Sequence, residues 1–439
     1  MRGKLKALLA ALKRGLANRK QRRCLIGAVA VAGLFLLLLH AGDASFYLKV
    51  HPSPELRDRS GRLLFAFLNE RGSWCFERSL EEFGPRIIQA TIAAEDQRFY
   101  HHCGVDPLAV LRAVKQNLQH RRVVSGASTL TMQVVKRRGF ASRSYLAKLC
   151  QAFEALRLET HADKNQILST YLNTAPYGGN LTGCEAAARR FFGKPTKELT
   201  LSEAALVAGL PKSPTRLYPL AHPEHAMRRR NYVLARMRDE GFISETEYRQ
   251  AAAEPVRVSW HAFPRWSPHF AFAWQWSAAD RGPLATTLDL EIQMATERLV
   301  KTRVGAHQGM ITNAAVIVLD APTASVLARV GSADYFDSEA AGQFDACRAS
   351  RSPGSTLKPF LYGLALEQNR LYPTEQRRDD SLEYGLYSPE NFDQRYHGLV
   401  EASEALRRSL NVPAVTLLDR VGVENFQTFL QSLSLTTLR

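Results

Sequence analysis

The stretch Ala94-Glu95-Asp96-Gln97-Arg98-Phe99-Tyr100-His101-His102-Cys103-Gly104-Val105-Asp106 decides how this chain reads, together with Gly126-Ala127-Ser128-Thr129-Leu130-Thr131-Met132-Gln133-Val134-Val135-Lys136 further on. An adjacent acidic pair is ordinarily a solvated helix end. Here Glu95 follows Ile87, Ile88, Thr91 and Ile92, which repeat at helical spacing. The apolar helix expected through Ala94 desolvates Glu95, an environment that suits a general base. Phe99 and His102 extend the same face. The second stretch alternates small hydroxyls with apolar residues, a pattern shared with a half-buried strand. Ser128, Thr129, Thr131 and Gln133 supply hydrogen-bonding groups beside Gly126, and Lys136, Arg137 and Arg138 follow. Polar donors next to cations suit a sugar bearing a pyrophosphate, because cations stabilise charge developing on a phosphate leaving group.

Working outward, residues 1–23 hold nine Lys/Arg and no acid, and Cys24 to Gly42 is apolar except for His40. Those nineteen residues span roughly 28 Å as a helix, close to a bilayer core. A cytoplasmic basic tail (1–23) and a transmembrane signal anchor (24–44) are therefore expected, with the rest outside. The alternative, a cleaved signal peptide, has a shorter apolar core and an A-x-A site. Of the net charge of +16, the tail accounts for nine, leaving +7 for the remainder. A membrane surface or an anionic lipid-linked substrate fits this distribution better than nucleic acid. Six cysteines form no C-x-x-C pair, so neither a zinc site nor an evident disulfide framework is indicated.

With 439 residues the chain has room for two or three domains. Residues 45–80 read as a strand-containing connecting segment and 81–253 as helical. In the latter, Leu108, Leu111, Val114 and Leu118 repeat at helical spacing behind the capping pair Asp106-Pro107. Residues 254–300, with a Trp/Pro/His/Phe-rich start, read as a linker, and 301–439 as mixed α/β. A hairpin is expected from Ala314 to Leu319 and Ser325 to Val330.

The pattern E-D-x-x-F-x-x-H-x-G-x-D (Glu95 to Asp106) and G-x-S-T-x-T-x-Q-x-x-K (Gly126 to Lys136) resembles the family 51 glycosyltransferases, the peptidoglycan polymerases of class A penicillin-binding proteins. Ile167 to Asn173 and Leu201 to Pro211 continue the resemblance in order. It implies a multidomain protein: an N-terminal transmembrane helix, an all-α lysozyme-like glycosyltransferase domain, then a partial mixed α/β transpeptidase domain. By resemblance the protein is a peptidoglycan glycosyltransferase that polymerises lipid II. Glu95 is its general base, taking a proton from the acceptor 4-hydroxyl in an inverting displacement. Asp96, Phe99, His102, Gly126, Ser128, Thr129, Thr131, Gln133, Lys136, Lys148, Gln151 and Asn173 are its substrate-binding residues. The helix after Pro107 would be mobile and membrane-facing. The resemblance also implies a divalent metal ion (Mg or Mn) with unassigned ligands and no organic cofactor. Its partners would be the nascent glycan strand, the inner membrane and other cell-wall synthesis proteins, with the catalytic domains periplasmic.

One position departs from the family. Where most members carry R-K-x-x-E, this chain has Ala147-Lys148-Leu149-Cys150-Gln151, an exchange that marks the 1C-like subgroup. Gln151 can hydrogen-bond but cannot carry negative charge.

A second set follows. Ser355 and Lys358 form S-x-x-K, and Ser409 and Asn411 form S-x-N. By resemblance Ser355 is the transpeptidase nucleophile, Lys358 its activator, and Ser409 and Asn411 the relay and orienting pair. K-T-G does not appear after them, so a C-terminally truncated domain with lost transpeptidase activity is the expectation. Two other readings stay open: a lytic glycan hydrolase, and a non-catalytic lipid II-binding scaffold or inactive fragment.

Overall fold

The computed structural model describes residues 27, 30–31, 33–34, 36–120, 128–139, 144–277, 283–307, 310–383 and 387–435. Residues 1–23, part of the expected anchor (24–26, 28–29, 32 and 35) and Gly126 lie outside the described residues. Among the described residues no helix is long and apolar enough to cross a membrane. The chain forms two compact units, Met1–Phe344 and Asp345–Arg439.

In the first unit, β1 (Glu55–Arg57) and β2 (Leu63–Ala66) pair antiparallel, with Leu56 opposite Phe65. Helices α1 (Pro85–Glu95), α2 (Pro107–His120), α3 (Leu130–Lys136), α4 (Tyr145–His161) and α5 (Lys164–Thr174) come next. They are followed by α6 (Cys184–Phe192), α7 (Leu201–Gly209), α8 (Pro223–Asp239) and α9 (Glu245–Ala253). Local chemistry sets their starts: Pro85 occupies the first turn of α1, and capping boxes Asp163/Gln166, Thr200/Glu203 and Ser244/Glu247 open α5, α7 and α9. Ile87, Ala90 and Thr91 turn one face of α1 inward, into a core with Phe99, Leu130, Leu158, Ile167, Tyr171 and Phe191.

The apolar stripe of α2 does not join that core. Leu108, Leu111 and Leu118 are 58%, 66% and 74% exposed, and Leu146 and Leu149 on α4 are exposed as well. Exposed apolar surface of this kind marks an interaction face.

Residues 254–300 are not a plain linker. They contain α10 (Pro268–Ser277), β3 (Leu284–Ala285) and most of α11 (Leu290–Ala306), and β3 pairs parallel with β1. The reason is apolar burial: Phe270, Phe272, Trp274 and Leu288 pack with Leu56, Leu64, Phe65 and Phe67. The expected hairpin forms as β4 (Val316–Leu319) and β5 (Val326–Val330), with Val318 opposite Ala328. It lies in the first compact unit, which runs to Phe344.

The second unit contains α12 (Lys358–Glu367), the antiparallel pair β6 (Gln376–Asp379) and β7 (Gly398–Glu401), and then α13 (Ala402–Arg407), α14 (Asn411–Val421) and α15 (Val423–Ser432). Its core is built from Leu361, Leu364, Ala365, Leu371, Leu417, Val421 and Phe426.

Candidate active site

Glu95 is the last residue of α1, and Asp96 breaks the helix with φ −159° and ψ 77°. The expected continuous face through Phe99 and His102 is therefore corrected: Phe99 starts a short 3₁₀ turn, Phe99–His101. Asp96 stops the helix because its carboxylate is used elsewhere. It accepts from Leu130 N at 3.0 Å and from His102 Nε2 at 3.1 Å. It thereby satisfies a donor at the start of α3 and ties the first motif to the second.

The second motif is likewise not a strand. Thr129 caps α3, its hydroxyl accepting from Met132 N (3.1 Å) and donating to Gly104 O (2.5 Å). Thr131 Oγ1 donates to Glu159 Oε1 at 2.6 Å. Asp96, Phe99, His102, Thr129 and Thr131 are all buried. They form a layer bonded within the protein, behind Glu95 and at the start of α3. Asn173 is placed in the same way. It is buried and clamps the backbone of Arg78, accepting from its N–H (3.0 Å) and donating to its carbonyl (2.9 Å).

Gln133 meets Glu95 directly, donating to Oε2 at 2.7 Å. The other oxygen, Oε1, is buried and accepts no hydrogen bond among the described residues. Its nearest ion-pair partner is Arg229 Nη2 at 3.6 Å, and the Arg229 guanidinium lies 4.7 Å from the Tyr232 ring centre. Arg137 contributes a second cation to this neighbourhood, donating to Thr174 Oγ1 (3.0 Å) and stacking on Tyr171. Burial holds Arg137 below its usual pKa, against the opposing pull of Tyr171, Tyr177 and Glu95. Sequence reading placed Arg137 in the basic run beside the second motif and missed Arg229. Arg229 sits in the run Arg228-Arg229-Arg230, which looks like a solvated helix face and carries no spacing that singles it out.

Beside α3 lies a basic group. Lys148 Nζ donates to Ser128 Oγ at 2.6 Å and Gln151 Oε1 at 3.3 Å. Its pKa is lowered, first by burial and then by the charge of Lys136. Among the described residues neither lysine pairs with a carboxylate. Two ammonium groups without an acidic partner form a place for an anion.

In the second unit, Lys358 Nζ donates to Ser409 O and Asn411 Oδ1, both at 2.6 Å, and lies 3.3 Å from Ser409 Oγ. Asn411 is positioned from behind: its N–H donates to Asn391 Oδ1 (2.7 Å), and Asn391 Nδ2 donates to the buried Asp379 carboxylate. Ser355 lies in the turn Gly354–Leu357 before α12 and is exposed. Among the described residues its hydroxyl makes no hydrogen bond to Lys358.

The transglycosylase family matches residues 63–238, and the penicillin binding protein transpeptidase domain matches residues 314–437. Penicillin-binding protein 1C of Escherichia coli (strain K12) is 37% identical over 418 residues, covering 94% of this chain and 54% of its own length. Penicillin-binding protein 1F of Bacillus subtilis (strain 168) is 30% identical over 401 residues, covering 87% of this chain and 55% of its own. The chain thus spans about half the length of these curated relatives. The crystal structure of penicillin-binding protein 1A from Haemophilus influenzae aligns with a TM-score of 0.40 and 20% identity, over 88% of this chain and 64% of that one. With both domain matches in order along one polypeptide and relatives aligned across them, the chain belongs to the class A penicillin-binding proteins.

Proposed function

We propose that the first unit is a peptidoglycan glycosyltransferase that polymerises lipid II at the periplasmic face of the bacterial inner membrane. The observation that carries this reading is the asymmetry of Glu95. Gln133 holds one oxygen, while the other is buried and accepts no hydrogen bond among the described residues. That oxygen is available to take the proton of an acceptor hydroxyl. The acceptor oxygen then bonds to the anomeric carbon of the donor as the bond from that carbon to the pyrophosphate breaks. Lys136 and Lys148 take up the charge of the leaving pyrophosphate. The exposed leucines of α2 and α4 suit a substrate whose lipid stays in the bilayer. Incubation with lipid II is expected to give elongated glycan strands, and incubation with finished cell wall no released fragments. The reverse outcome would make the protein a lytic hydrolase.

A divalent ion fits this site poorly as a protein-bound group. Among the described residues no cluster of three His, Cys, Asp or Glu side chains could hold one, and Asp96 is committed to Leu130 and His102. No step is assigned to it.

Lys148→Met is expected to raise KM for lipid II and to lower kcat, together reducing kcat/KM by at least about tenfold, since a hydrogen bond to a charged group contributes on the order of 1.5–3 kcal/mol and the pyrophosphate is charged both when bound and as it leaves. The pH dependence has a defined sign. Burial and Lys136 lower the Lys148 pKa from 10.5, so the ammonium is lost, and affinity falls, as pH rises through a value below that of an ordinary lysine. A KM–pH profile of wild type against Lys148→Met checks this, and the difference between them should shrink at alkaline pH.

For the second unit we propose weak acylation at Ser355, because Lys358 is bonded to Ser409 and Asn411 rather than to the nucleophile. Labelling by a fluorescent penicillin at low concentration is expected to be far below stoichiometric.

A further inference from the structure

A cavity of about 310 Å³ lies in the first unit between the start of α10, the middle of α11 and the loop after β5. None of the residues assigned above lines it. Glu297 of α11 does, and its surroundings are unusual for a carboxylate. One oxygen accepts from Ser267 N and Gln293 Nε2, both at 2.7 Å. Gln293 is itself fixed by Arg329 N, which donates to its Oε1 at 2.8 Å. Burial holds Glu297 above the usual carboxylate range, and Asp334 adds to the effect. Among the described residues no cation pairs with it. A partly buried carboxylate without a counter-ion is costly to maintain.

The group that supports Glu297 is strained. Ser267, buried, sits at φ 52°, in the left-handed region that a serine seldom adopts. Such conformations concentrate at ligand clamps. Trp266, Tyr335 and Phe336 line the same cavity, and aromatic faces attract organic cations. Four basic side chains line it, Arg265, Arg298, Lys301 and Arg329; Lys301 pairs with Asp334 at 2.8 Å, and Arg298 Nε donates to Met294 O at 3.2 Å. The Arg265 guanidinium lies 5.5 Å from the Phe336 ring centre and has no carboxylate partner among the described residues. One carboxylate without a counter-ion, aromatic walls and an unpaired guanidinium match a ligand with opposite charges at its two ends.

We propose that this cavity binds a primary alkylammonium group carrying a carboxylate at its far end, as on an ω-amino acid or a C-terminal lysine. The ammonium meets Glu297 and the carboxylate meets Arg265. Calorimetric titration of the full chain with 6-aminohexanoate, hexylamine and hexanoate tests it. Saturable binding of 6-aminohexanoate is expected, with hexylamine weaker and hexanoate undetectable. Glu297→Gln, which keeps the acceptor for Ser267 and Gln293, is expected to weaken 6-aminohexanoate at least tenfold and leave lipid II polymerisation unchanged. Phe336→Ala, at an exposed position, is expected to weaken it independently of the α11 packing. The proposal is overturned if wild type shows no saturable binding, if hexanoate binds as well as 6-aminohexanoate, or if both variants bind like wild type. Hexylamine matching 6-aminohexanoate would overturn the role of Arg265.

Discussion

Glu95→Gln is expected to lower the turnover of lipid II polymerisation by about 10²–10⁴-fold, the range for removing a general base. The substitution is close to isosteric. The amide oxygen can still accept from Gln133, and the packing at the end of α1 changes little. What is lost is the basicity of the oxygen that accepts no hydrogen bond. Since that interaction exists only while the proton is moving, kcat should fall with KM nearly unchanged. Gln151 makes the test sharper. It stands where most of the family carries a second glutamate and is bonded to Lys148, so it offers no carboxylate to substitute for Glu95. Near wild-type turnover by Glu95→Gln, measured as strand formation from lipid II, would falsify the assignment.

The parts of this site that were legible in the sequence are those set by neighbours in the chain. Ile87, Ile88, Thr91 and Ile92 foretold α1 because their spacing alone makes an apolar face. Asp106-Pro107 foretold the start of α2, and Asp106 Oδ1 does accept from Leu108 N at 3.0 Å. The parts that were not legible depend on contacts between distant segments. Nothing local to Asp96 says that α1 must stop there, since the cause is Leu130, thirty-four residues on. The alternation from Ser128 to Thr131 mimics a strand because Thr129 is outside the helix as its cap. Asn173 lies in a motif suggestive of substrate, yet its partner is the Arg78 backbone across the core. Sequence pattern pointed to the chemistry near Glu95 and left open which residues face the substrate and which stand behind them.

That division leads to the second large effect, at Gly104. Gly104→Ala is expected to destabilise the first unit by about 2–5 kcal/mol, the sum of two penalties. The residue has φ 87°, a conformation that costs an L side chain roughly 1–2 kcal/mol. A Cβ there would also stand 2.5 Å from Ala155 O and 2.7 Å from its carbonyl carbon. Both atoms are α4 backbone and cannot rotate aside, so α4 and the turn must separate, an overpacking cost of about 1–3 kcal/mol. The movement has a functional consequence because Gly104 O receives the Thr129 hydroxyl. Displacing it loosens the cap of α3 and, with it, Gln133 and the hold on Glu95. Gly61→Ala separates the two penalties, since Gly61 has a similar φ of 81° with nothing within 4 Å of the added Cβ. Thermal unfolding should place the midpoint of Gly104→Ala well below that of Gly61→Ala, and only Gly104→Ala should slow polymerisation in the fraction that remains folded. Equal midpoints would mean that α4 yields to the methyl group. Gly104 would then serve its local turn alone, and the coupling between the two motifs would rest on Asp96.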